Sequence, residues 1–374
     1  MAICVSSLRR HWPVLLAGVL LVIPSFVSGA DRERVSSAIT RSLELLQQTA
    51  ATYTDQRDCF SCHHQALPSM AISLAASRGF DIDRSRVDWQ SEFTAAFFLK
   101  RGEQLEKGSG VPGGSYTAAY AALQLAADGA ETPRVSELLV KYLHHNRQQD
   151  GHWKIRTRRP PLEESDFTAT ALSLAALRLH DNASDPEALG QKVQQTVAWL
   201  AANPASTTED HVYRLLGIYW GSVDRRRGAR TSWSRLLEAR SASRMDEGAR
   251  TSFQQTVAWL LKQQRQDGGW SQLEEGSSDA YASGQVIAAL LGTGAARPAD
   301  LSIRRGIDYL LKTQKEDGSW HVASRSKAFQ EYFESGFPHE ADQFISVAAS
   351  SWATMALVLS RPSRVSRRLQ REEK

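Results

Sequence analysis

The sequence predicts an all-α protein, a ring of six outer–inner helical hairpins, or (α/α)6 toroid. Three observations predict it. A segment closing on Asp-Gly-x-Trp recurs, as "LHHNRQQDGHW" to Trp153, "LLKQQRQDGGW" to Trp270 and "LLKTQKEDGSW" to Trp320. After each copy comes a stretch with small residues nearly all the way round, the pattern of a helix buried on most sides. No run alternates long enough to argue for a sheet.

The turn chemistry is the same in each copy. Glycine ends a helix by taking positive φ, Asp favours the turn, and the Trp can pack back over the helix end. Trp153, Trp270 and Trp320 are therefore read as repeat glue. The stretch before each turn, such as "IRRGIDYLLKTQ", has one apolar stripe and one charged face, which makes it an outer helix. The inner partners are "SDFTATALSLAALRL", "SDAYASGQVIAALL" and "DQFISVAASSWATMALVL".

Weaker copies complete the ring. "RVSSAITRSLELLQQTAATYTD" pairs with "HHQALPSMAISLAASRG", "FFLKRGEQLEKG" with "SYTAAYAALQLAA", and "QKVQQTVAWLAANP" with "EDHVYRLLGIYW". Long insertions separate outer from inner helix at 154–164 and 321–341 and are lid candidates, since functional loops are usually presented by a rigid scaffold. A third insertion, 224–244, reads as polar and peripheral, with one exposed helix.

The ends are read separately. Residues 1–30 have a basic start (Arg9, Arg10), an apolar run of 15 residues (13–27) and small residues Ser28 to Ala30, the pattern of a cleaved secretory signal. The run is short of the ~20 residues a membrane span needs, so no stable span is expected after cleavage. The toroid then covers 31–362, and 363–374 is a basic tail. The expected location is periplasmic or secreted. Cleavage leaves 43 basic against 41 acidic residues, a balance that gives no case for nucleic acid.

Topology gathers the candidate chemistry. Inner helices of such a ring run parallel, so every outer-to-inner loop emerges at one mouth. Asp166, Asp279, Asp342 and His339 lie there and are the candidate catalytic residues, with Glu164, Asp210, His211 and Glu340 nearby. An Asp at a helix start is also a good N-cap, worth about 1 kcal/mol, and capping alone accounts for the three aspartates one at a time. Tyr116, Tyr281, Phe344 and Trp352 sit on inner helices, as core or as cavity wall.

The first of these loops holds "DCFSCHHQ", with both cysteines the mature chain retains. Cys59, Cys62 and His63 have the spacing of c-type haem attachment. Two thiols three apart can share one side of a helical turn, and the next imidazole can ligate the iron. Export fits, and a redox partner would follow. Zinc on a thiolate, His63 or His64 and a mouth carboxylate is the alternative cofactor. A Cys59–Cys62 disulfide and an inert pair stay open too.

The Asp-Gly-x-Trp segments resemble the QW repeats of squalene–hopene cyclases and their relatives, the terpenoid cyclase and protein prenyltransferase toroids. "PPLEESDFTATAL", "DGSWHVASRS" and "CFSCHHQALP" are similar to bacterial prenyltransferase/squalene-oxidase repeat proteins. The resemblance covers nearly the whole mature chain and implies an apolar, isoprenoid-like substrate, and, by analogy with prenyltransferases, zinc at the mouth. The D-x-D-D acid of bacterial squalene cyclases is missing, and "DIDR" (81–84) is the nearest string. A true squalene cyclase is therefore not expected. The expectation is an exported toroid bearing haem c for redox use. The alternatives are a cyclase-, transferase- or lyase-like enzyme using the mouth aspartates or zinc, and a non-catalytic toroid that binds a ligand or protein.

Overall fold

The computed structural model describes residues 29–182, 185–223, 233–237, 245–327 and 331–361. The predicted signal, apart from Gly29 and Ala30, and the basic tail lie outside the described residues, and α1 begins at Gly29. No described helix is long and apolar enough to cross a membrane.

Six outer–inner pairs are present among the described residues. They are α1 (Gly29–Gln56) with α2 (Leu67–Ser77), and α3 (Arg84–Leu99) plus the short α4 (Gly102–Glu106) with α5 (Ser115–Asp128). Then come α6 (Pro133–Asn146) with α7 (Asp166–His180), and α8 (Pro186–Ala202) with α9 (Thr208–Ser222). A short α10 (Trp233–Leu237) precedes α11 (Glu247–Lys262) with α12 (Ala280–Gly292), and α13 (Leu301–Thr313) with α14 (Gln343–Leu359). The inner helices pack in the order α2, α5, α7, α9, α12, α14, and α14 returns to α2, which closes the ring. The described residues form no strand, only isolated bridges at Arg159–Glu163 and Trp270–Asp279.

The repeated turn explains the ring. Gly268 and Gly318 take φ of 92° and 90°, and an added Cβ would strike the Arg305 and Arg41 carbonyls at 2.5 and 2.6 Å. Each turn is therefore pressed onto the next repeat's outer helix, and Gly318 does this across the closure, on α1. Gln264 and Gln314 donate both to the turn and to that next helix, at Ser302 O (2.7 Å) and Ala38 O (2.9 Å). The three tryptophans repeat one geometry. Each Nε1 donates to the carbonyl ten residues back, at Leu143, Leu260 and Leu310. Each backbone N–H donates to an inner-helix hydroxyl, at Thr170, Ser283 and Ser350.

Two sequence expectations change. The second outer helix starts at Arg84, earlier than "FFLKRGEQLEKG" implies, because Asp83 caps it by accepting from Ser85 N and Arg86 N. The 224–244 insertion is not peripheral where it is described. α10 packs on α2 and α5 and buries Trp233, Leu236 and Leu237, with Trp233 edge-on to Trp220 at 5.9 Å. These three residues are spaced i, i+3, i+4, so one helical face carries the apolar load. α10 follows an inner helix, so it closes the end of the ring opposite the mouth.

The α12–α14 crossing sets the tightest approach. A Cβ at Gly284 would lie 2.6 Å from Ala353 N and 2.7 Å from the Trp352 carbonyl carbon, both backbone atoms. Gly284→Ala must separate the two helices, and overpacking of this kind costs about 1–3 kcal/mol. Urea denaturation should show that loss. An unchanged midpoint would mean the helices are free to part.

Candidate functional site

The ring centre is filled. Tyr116, Tyr120, Tyr213 and Tyr281, from α5, α9 and α12, are fully buried there. Tyr120 Oη and Tyr213 Oη lie 2.9 Å apart, and the Tyr116 and Tyr120 rings meet edge-on at 4.9 Å. Glu209, in the first turn of α9, is buried among them. Its carboxyl accepts from Tyr281 Oη (2.8 Å) and Thr168 Oγ1 (3.1 Å), with Gln285 Nε2 at 3.5 Å. Burial pushes the Glu209 carboxyl well above its ordinary range, and the Glu164 charge adds to this. Sequence reasoning misses Glu209. The available signal is its place four residues before Tyr213, on one helical face. The next residue, Asp210, serves a capping box with Thr207 and accepts from Ser206 N at 3.0 Å.

The candidate catalytic residues divide. Asp166 belongs to the third repeat, where it accepts from Ile155 N at 2.7 Å and lies 3.6 Å from His152. Asp279 is the N-cap of α12 and accepts from Ala282 N at 2.9 Å. Burial pushes its carboxyl up to about 6. Asp342 accepts from Ser324 N at 2.8 Å and holds His321 Nε2 at 2.9 Å. His339 stands in the left-handed region (φ 84°), pinned by Ser319 Oγ at 2.7 Å, with its ring 4.8 Å from that of His321. Burial first, and then His321, lowers its pKa. So Asp342 and His339 come together through His321, which no sequence pattern singles out. Asp166 is not in that group. Asp166 and Asp342 each tie an insertion to an inner-helix start through a loop N–H, and of the three only Asp279 caps its helix with the side chain.

Asp279 and His321 line one pocket at the mouth between the fifth and sixth repeats, about 650 Å³ in volume. Tyr309, Gln272, Lys312 and Arg325 complete the relevant wall. The two long insertions meet at the mouth where they are described. Arg325, from 321–341, donates to Glu164 Oε2 of 154–164 and to Gln272 Oε1, each at 2.6 Å. A narrow crevice beneath, lined by Glu209, Tyr281, Gln285 and Pro161, shares Arg325 and Gln272 with the mouth pocket.

The cysteine motif folds differently from one helical turn. Ser61 is extended (φ −130°, ψ 125°) and caps a π-helical turn running from Cys62 to Ala66. The Cys59 thiol is exposed, 3.3 Å from Tyr53 Oη. The Cys62 thiol points inward to Thr117 Oγ1 at 3.9 Å, and burial, then the Glu163 charge, pushes its pKa up. His63 packs between His64, through a close Nδ1–Nδ1 contact, and Phe344 at 5.8 Å. Burial lowers its pKa to about 3. His64 stacks on Tyr53 and is held by Ser335 Oγ at 2.8 Å. Covalent haem needs both thiols and the imidazole on one face, and this packing does not present them so. The two thiols are free. Among the described residues no group of three or more His, Cys, Asp or Glu side chains is arranged to hold a metal.

Residues 228–362 match the family described as the squalene-hopene cyclase C-terminal domain. Among solved structures, a type II terpene cyclase from Scytonema, in complex with geranylgeranyl dihydroxybenzoate, is similar over 88% of this chain and 98% of that one, at 13% identity and a TM-score of 0.55. A possible member of the GH105 family from Salmonella enterica is similar over 94% and 98%, at 14% identity and a TM-score of 0.55. At these identities the likeness speaks to the fold. No curated protein matches the chain.

Proposed function

We propose, for a chain whose α/α toroid is of the squalene-cyclase and prenyltransferase-like kind, that it is an enzyme doing acid–base chemistry at the mouth of the ring. The observation that carries this is the pairing of Asp279 and His321 on one pocket. A catalytic acid or base works best with a pKa near the operating pH, and Asp279 is raised to about 6. His321 commits Nε2 to Asp342, which leaves Nδ1 the lone pair of a base in the neutral ring. His339 positions the His321 ring. Tyr309 and Arg325 supply polar holding groups to a small polar substrate.

The tyrosine-filled lumen supports this reading over polyene cyclisation, as does the missing D-x-D-D string. A second reading, covalent haem on Cys59, Cys62 and His63, is favoured by the motif spacing alone and requires residues 57–64 to repack. Expression with a cytochrome c maturation system and a pyridine-haemochrome assay tests it.

The test of the mouth reading is a hydrolysis and elimination screen on the purified chain. Any turnover found should fall ~10²–10⁴-fold in Asp279→Asn and in His321→Gln. Asn caps as well as Asp, so melting should be unchanged. Full turnover in both variants sinks the reading.

A further inference from the structure

Arg325 is the one described residue of the 321–341 insertion that lines both the mouth pocket and the crevice above Glu209. Its partner Glu164 is nearly fully buried and ends the other insertion. Arg158 adds a second cation to Glu164 at 3.8 Å. Next door, Glu163 holds Arg159 and Thr157 of its own segment, so it is Glu164 that ties the end of 154–164 to the other insertion. The Arg325 guanidinium also reaches the pocket, where Lys312 and Lys315 stand on the same wall. A guanidinium binds a ligand's carboxylate or phosphate with the same fork it offers Glu164.

We infer that the Arg325–Glu164 pair is an anion-operated latch: an anionic group in the mouth pocket takes Arg325 from Glu164, frees the 154–164 insertion, and opens the crevice above Glu209. This rests on the mouth pocket being the binding site, and it adds the ligand class, a small polyanion or an anionic end of a larger substrate. The exchange gives Arg325 a new partner and leaves Glu164 with Arg158, at 3.8 Å. A buried carboxylate that loses its close guanidinium is costly, and moving out into water with the insertion relieves that cost.

The chain carries its own reporters. Cys62 Sγ meets Thr117 at 3.9 Å, and Gly113 packs against both Thr117 and Glu163, so this thiol sits near the C-terminal end of the 154–164 segment, while Cys59 is exposed. Pulse alkylation with iodoacetamide, read by peptide mass spectrometry, measures both at once. In the wild type Cys59 should react fast and Cys62 slowly. Glu164→Gln and Arg325→Gln should each speed Cys62 at least ~10-fold with Cys59 unchanged, since alkylation needs an accessible thiolate. Sodium citrate or phosphate should speed Cys62 in the wild type beyond sodium chloride of equal ionic strength, and should add nothing in the variants. Glu164→Gln keeps the side-chain shape, so it decides the matter if Arg325→Gln unfolds. An unchanged Cys62 rate in folded Glu164→Gln overturns the latch. Faster labelling in the variants, with no response to either anion, overturns the anion trigger and leaves the acid–base reading standing, because that reading depends on Asp279 and His321.

Discussion

Trp320→Ala should lower the unfolding free energy by about 3–5 kcal/mol, the range for deleting a large buried aromatic. Trp320 is fully buried. Its Nε1 holds the end of α13 at Leu310 O (2.8 Å), and its backbone N–H takes Ser350 Oγ of α14 (3.0 Å). The turn it closes is pressed onto Arg41 of α1, so the damage falls where the last repeat meets the first. Trp320→Phe keeps much of the volume and loses the indole N–H, while Leu310 O still accepts from Gln314 N (3.1 Å), so the loss should be that of one net hydrogen bond, about 0.5–1.5 kcal/mol. Urea denaturation of both variants orders them. Equal, small losses would mean the tryptophan is not the joint between repeats.

Glu209→Gln should change how stability depends on pH. The folded pKa of Glu209 is raised above its unfolded value, so its contribution is fully present below the unfolded pKa and is lost as pH rises through the folded one. Gln cannot ionise and removes that dependence. As pH rises above the ordinary carboxylate range the wild type should lose stability more steeply than the variant, by at most ~1.4 kcal/mol for each step of one in pH, the slope one proton gives. Asp128, pushed up to about 7 by burial, leaves a shallower decline in both. On the acid side, burial lowers His63 to about 3 and His211 to about 4. Their contribution is present above the unfolded histidine pKa and fades as pH falls toward those values. Melting temperatures of the two proteins across this range check the prediction, and parallel curves would mean Glu209 is ionised in the fold.

The ring was legible because its joints carry uncommon residues. Asp-Gly-x-Trp marks three turns, and the small-residue helices after them could be buried only as an inner wall. The two long insertions were legible at one end of that ring. The candidate site was legible only in part. Asp279, Asp342 and His339 were placed at the mouth by topology, but His321, which joins two of them, sits at the start of an insertion with no pattern to mark it. Glu209 was hidden by its neighbour. "EDHVYRLL" offers two acids in the first turn, and only the three-dimensional ring decides that Asp210 caps while Glu209 turns inward. α10 was misread because its charged surroundings dominate the composition, although Trp233, Leu236 and Leu237 share a face. The local fold of the cysteine motif was not legible either. Its spacing presumes a helical turn, and the extended Ser61 places the two thiols on different sides of the chain.

The most direct measurement is a diffraction structure of the protein matured in the presence of haem, grown with citrate and recorded at the iron absorption edge. The mouth reading predicts ligand density against Asp279, His321 and Arg325 and no iron signal. Iron at Cys59, Cys62 and His63, with an empty mouth pocket, would contradict it.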